Sequence, residues 1–243
     1  MTRLTQAIVN LTRLTSLSTR VLADAAGTTA FVQRPPSYTV PAFVNLGLSG
    51  YFGGGSDGVR ISGIDKITFP ADTKTTLSAT LTTARQSLAG MANSAVAGYV
   101  GGGTDSVGSL SGIDKITFPA DTKTTLSATL TSARSLLAGM ANSGVAGYFG
   151  GGDDGSPISG IDKITFPADT KTTLSATLST ARSQLAGMAN SAVAGYFGGG
   201  SDSSGNVSGI DKITFPADTK TTLSATLTSG RFLLAGMADS GIL

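Results

Sequence analysis

GIDKITFPADTKTTLSATL, residues 63–81, recurs without a single change at residues 112–130, 160–178 and 209–227. Self-similarity at a fixed period is the signature of a repeat architecture, in which one small unit is stacked on copies of itself. Each copy follows an aromatic-glycine run, Tyr51–Gly55, Tyr99–Gly103, Tyr148–Gly152 and Tyr196–Gly200. Each is followed by an arginine, at 85, 134, 182 and 231, and then by an apolar small-residue stretch such as Leu88–Ser94. The unit is therefore about 49 residues long and occurs four times over residues 50–243.

One unit reads as four short strands, the size of a propeller blade. The first is LAGMANS and the second AVAGYVGGG or its equivalent. The third is SGIDKITF, whose Ile64, Lys66 and Thr68 alternate with Asp65, Ile67 and Phe69. Neither face is purely apolar, as expected of a strand covered on both sides. Pro70 and Asp72 then mark a turn, and TTLSATL supplies the fourth strand, with Leu77 and Leu81 on one face. The first unit has no good LAGMANS strand before Tyr51, whereas one extra copy stands at the C-terminus, Phe232–Ser240. Pairing that extra strand with the first unit would close the array and remove an exposed edge. An open array completed by other chains is the alternative.

The order of these segments resembles the kelch repeat over residues 50–243. The glycine pairs at 53–54, 101–102, 150–151 and 198–199 match the kelch diglycine, and Phe69–Thr73 resembles the kelch turn. Leu77 stands near the usual blade tryptophan, and the chain has no Trp. More narrowly, the wording resembles the kelch-like repeats of tailed-phage virion proteins, those of cyanophages above all. The resemblance implies an all-β, kelch-like β-propeller of four blades closed by the C-terminal strand.

Composition fits a folded β domain. Of 243 residues 33 are Gly, 40% are hydrophobic and 13% charged, with a formal net charge of +2. A disordered chain is expected to be poorer in apolar residues and richer in net charge. The chain has no Cys and no His. That excludes disulfides, thiolate and imidazole metal ligands, Cys nucleophiles and His general bases. Copper chemistry of the kelch-fold oxidase kind needs those ligands. Basic residues are spread through the repeats, so no nucleic-acid surface is expected.

Residues 1–49 do not repeat and read as an N-terminal arm and linker. Leu4, Ile8, Leu11 and Leu14 recur near helical spacing, while Pro35, Pro36 and Pro41 point to an extended connection. Arg3, Gln6, Asn10 and Arg13 interrupt the apolar run, so neither a signal peptide nor membrane insertion is expected. A lone apolar stripe needs another chain to cover it, which makes this arm the expected anchoring or oligomerisation element.

The candidate sites are weighed against ordinary structural roles. The glycine runs lack the spacing and the Lys-Ser/Thr of a phosphate loop. The four Asp-Lys pairs beginning at Asp65 read as a solvated rim with weak surface pairing. The four arginines read as ties between carbonyls of adjacent blades. No catalytic residue, no metal site and no cofactor is expected. Variation within the chain is concentrated in one loop per unit: SDGVRI, TDSVGSL, DDGSPI and SDSSGNV. These loops carry the candidate binding residues Asp57, Arg60, Asp105, Asp153, Asp154, Asp202 and Asn206. Loops on a rigid scaffold are the usual seat of binding, and drift in unconstrained loops is the competing reading. The resemblance implies a non-enzymatic virion structural protein (tail fibre, baseplate or capsid decoration). It would be a homo-oligomer held to other virion proteins by its arm, with a host-surface glycan as the ligand of its loops. An intracellular kelch-type interaction scaffold is the alternative.

Overall fold

A computed structural model of the chain describes residues 48–238. All regular structure in that range is antiparallel β, in four successive sheets and one small hairpin. The first sheet holds β1 (Ser49–Gly53), β2 (Ile64–Thr68) and β3 (Thr73–Thr76). The second holds β4 (Ala89–Asn93), β5 (Ala97–Gly101), β6 (Ile113–Thr117) and β7 (Thr122–Thr125). The third repeats this order in β8 (Ala138–Asn142), β9 (Ala146–Gly150), β10 (Ile161–Thr165) and β11 (Thr170–Thr173). The fourth starts with β12 (Ala186–Asn190) and β13 (Ala194–Gly198). It continues, after a hairpin of β14 (Ser201–Asp202) and β15 (Gly205–Asn206), with β16 (Ile210–Thr214) and β17 (Thr219–Thr222). Strands are ordered as in the chain, so each sheet is a simple meander.

The last strand of each sheet differs from the sequence reading. It is TKTT, not TTLSATL. The turn is shorter than PADTK: Asp72, Asp121, Asp169 and Asp218 take φ of 52–56°, and the chain re-enters the ladder at the next threonine. The leucines expected on that strand instead lie beyond it. Leu81, Leu130 and Leu178 are buried between sheets.

Successive sheets stack face to face, and their first strands come closest. A Cβ added at Gly139 would collide with the Gly90 carbonyl, and one at Gly187 with that of Gly139. Farther out, whole side chains separate the sheets. The Phe149 ring covers Gly101 and the Phe197 ring covers Gly150. Backbone contact at one edge and ring thickness beyond it make the sheets fan outward. This is why the first strand places Gly at 139 and 187: a side chain there would force the neighbouring strands apart.

Each interval between sheets has its own core. Tyr99, Ile113, Leu130, Phe149 and Ile164 fill the one between the second and third sheets. Tyr148, Ile161, Leu178, Phe197 and Ile213 fill the next. The first interval is thinner, with Ile64, Leu81 and Ile116 buried and Tyr51 and Leu77 only partly so. Among the described residues the first sheet has three strands where the others have four, with none before β1.

Closure by the C-terminal strand is not formed among the described residues. Residues 232–238 form no strand. They lie against the fourth sheet, where the Leu233 N–H donates to the Gln184 carbonyl at 3.0 Å. A Cβ at Gly236 would stand 2.7 Å from the Gly187 carbonyl. The segment thus sits where a next first strand belongs, without a second strand to pair with. The expected arm helix, with Leu4, Ile8, Leu11 and Leu14, lies outside the described residues.

Candidate functional site

The charged residues that recur in every repeat converge between sheets. The Arg134 Nη2 donates to Asp162 Oδ2 at 3.0 Å and to the Phe149 carbonyl at 3.1 Å. Arg85 meets Asp114 at 2.9 Å and the carbonyls of Gly112 and Val100. Arg182 meets Asp211 at 3.0 Å and the carbonyls of Gly209 and Phe197. These six side chains are at most 3% exposed. The arginines do bind neighbouring-sheet carbonyls, as the sequence indicated, but the carboxylate partner was not foreseen. The reading of the Asp-Lys pairs as a solvated rim holds only for Asp65, which has a 42% exposed side chain and pairs with Lys74. The other three aspartates are core residues.

Burial alone would push the Asp114 and Asp162 carboxyls up. It is outweighed by hydrogen bonds from the hydroxyl and N–H of Thr82 or Thr131, from Thr125 or Thr173, and by the nearby arginine. Both are held below the usual carboxylate value. Burial lowers the arginines, against the pull of their aspartates. They remain cations, because guanidinium titrates far above neutrality. The Nε of each has no acceptor.

A second repeated cluster lies toward the turns. Tyr99 Oη donates to Asp169 Oδ1 and Lys115 Nζ to Asp169 Oδ2, both at 2.7 Å. The same triad joins Tyr51 and Lys66 to Asp121, and Tyr148 and Lys163 to Asp218. The Tyr99 ring stacks on Phe166 at 4.9 Å, with the Lys115 ammonium 5.5 Å from its centroid. Burial, then the carboxylate, raises the Tyr99 and Tyr148 phenols well above their usual value. They are donors at neutral pH, not nucleophiles or bases. The sequence reading saw the turn aspartates only as caps. Their signal was the retention of Tyr, Lys and Asp in all four copies.

The variable loops occupy the same place in each repeat. Backbone bridges tie three of them to the segment after the previous sheet: Gln86 with Thr104, Ser135 with Asp153, Ser183 with Ser201. Their aspartates cap their own turns. Asp105 accepts from Val107 and Gly108, Asp202 from Ser204 and Gly205, Asp153 from Gly155 and Asp57 from Val59. Arg60 is bridged to Ser56, Asn206 lies on β15, and the Asp154 N–H bonds the Ser156 carbonyl. The fold spaces these residues one loop per sheet and does not gather them into one pocket. Among the described residues no three acidic side chains come together in a metal-binding group. No helix there is long and apolar enough to cross a membrane. No protein-family model matches the chain, and no curated protein is significantly similar to it.

Proposed function

We propose that the chain is a non-enzymatic structural protein of a tailed-phage particle, in a tail fibre, baseplate or capsid decoration, and that its sheets are blades of a kelch-like propeller arc. Residues 1–49 anchor it to other virion proteins, and the row of variable loops faces outward toward a host-surface glycan. The observation that supports this reading is the use of the repeated polar residues. Arg, Asp, Tyr and Lys, the groups an active site would need, are engaged in bonds between sheets. Variation from copy to copy is concentrated in the loop row, with a few single changes elsewhere such as Val100 and Gly230. A scaffold with a nearly constant frame and divergent loops suits a binding surface.

The test is fractionation of particles from the cells that carry the gene, followed by mass spectrometry. The chain should sediment with intact particles at a fixed ratio to the major capsid protein. A chain beginning at Leu48 should stay folded and leave the particle fraction. Recovery of the full chain only outside particles would overturn the assignment.

A further inference from the structure

Each contact that joins one sheet to the next occurs repeatedly, so the two ends of the array carry its unmatched halves. Arginine pairs with the aspartate of the following sheet at 85–114, 134–162 and 182–211. Among the described residues this leaves Arg231 at one end, exposed and without an ion pair, and Asp65 at the other, without an arginine. The Tyr-Lys-Asp triad likewise leaves Tyr196 and Lys212 on the fourth sheet and Asp72 on the first. Phe149 and Phe197 cover a glycine of the preceding sheet, but Phe52 is 72% exposed and Gly198 has no ring over it. A row of backbone hydrogen bonds runs Gln184 to Leu136 to Ser87 across the sheets. It ends with the Leu233 carbonyl on one side and the Ser87 N–H on the other.

No strand precedes β1 among the described residues, and this place completes the match. Met91 covers Gly147 and Met140 covers Gly195, whereas Gly98 meets only Phe118. Over Gly98 lies a groove of about 720 Å³, lined by Gly50, Tyr51, Gly90, Met91 and Tyr99 among others. Met237, 88% exposed, is the methionine of the one surplus first-strand segment. One chain does not bring these halves together, because residues 232–238 lie on the fourth sheet and no ion pair joins it to the first among the described residues.

We propose that the first sheet of one copy docks on the fourth sheet of a second copy. Residues 234–238 of the second copy then become the first strand of that sheet. By the register of β4 on β5, Gly236 faces Phe52 and Met237 faces Tyr51. Arg231 meets Asp65, Tyr196 and Lys212 meet Asp72, and Met237 fills the groove over Gly98. The joint is a further turn of the repeat, and strand addition along Gly50–Gly53 of β1 supplies its backbone bonds. It uses none of residues 1–47 and does not depend on a virion location.

Light scattering after size exclusion on the full chain tests this, with Arg231→Asp and Asp65→Arg. Both positions are solvent-accessible, so both variants should keep the wild-type circular dichroism. The wild type should show the mass of two or more chains, rising with concentration. Each variant alone should fall to one chain, since it sets like charges against each other. An equimolar mixture should recover the assembly, because the exchanged charges meet across one joint and the native pair across the other. Removing residues 232–243 should give one chain that no mixture rescues. A wild type of one-chain mass at every concentration, as when its own C-terminus or N-terminal residues fill the groove, would overturn the proposal. So would variants that retain the wild-type mass, or a mixture that stays as single chains.

Discussion

Arg134→Met isolates the bond between the second and third sheets. The methionine retains the apolar stem and removes the guanidinium, leaving Asp162 as a buried carboxylate facing only Thr131, Thr173 and, at 3.4 Å, Lys171. Breaking a buried ion pair from one side costs about 3–5 kcal/mol, because the remaining charge stays desolvated. At about 2–4 °C per kcal/mol for a domain of this size, the melting temperature should fall by about 6–20 °C. Lys74→Met is the internal control. Its pair with Asp65 is largely exposed, and such pairs contribute about 0–1 kcal/mol. Urea titration with circular dichroism detection, on both variants at one low concentration, gives the two losses directly. A loss below about 1 kcal/mol for Arg134→Met, or one equal to that of Lys74→Met, would refute the assignment of the repeated arginine to the core.

Gly139→Ala should destabilise by about 1–3 kcal/mol in the same titration, since its Cβ has no room beside the Gly90 carbonyl, while Gly108→Ala, which meets nothing, should not. Asp114 and Asp162 are held below their usual carboxylate value of 3.8. Their contribution is complete above that value and is lost as pH falls below it, so the urea midpoint should be level from pH 7 to 5 and drop from about pH 4 downward. Tyr99 and Tyr148 are raised, so their contribution is complete below pH 10 and is lost as pH rises past it; alkaline unfolding should start there. Calcium or EDTA should leave the melting temperature unchanged, because the loop aspartates cap their own turns; a rise of several degrees with calcium would make them ligands.

The repeat, the all-β class and three of the four strands per unit were legible because strand period and glycine punctuation act locally. The last strand was misplaced because TKTT and LSATL look equally extended, and the turn geometry at Asp72 decides between them. The polar core was illegible for a different reason. Asp114 and Lys115 are sequence neighbours, which invites pairing them with each other. Yet adjacent residues of a strand point to opposite faces, and each finds its partner about 30 to 55 positions away. Only the repetition itself marked them: a polar residue retained in four copies inside a strand buried on both faces is answering a fixed contact.

The variable loops also touch the frame that carries them. The alanine before each arginine, at 84, 133 and 181, is replaced in the last copy by Gly230. A Cβ there would run into the backbone carbonyl of Asn206. Asn206 belongs to the loop closed by β14–β15, and the other three variable loops are closed at the equivalent place by single bridges, Ser56 with Arg60, Thr104 with Ser109 and Asp153 with Pro157. The loop of the fourth repeat therefore packs against the segment after its own last strand, and the glycine leaves room for its backbone. Loop shape and frame are coupled at this position, so a side chain placed at 230 must displace the loop.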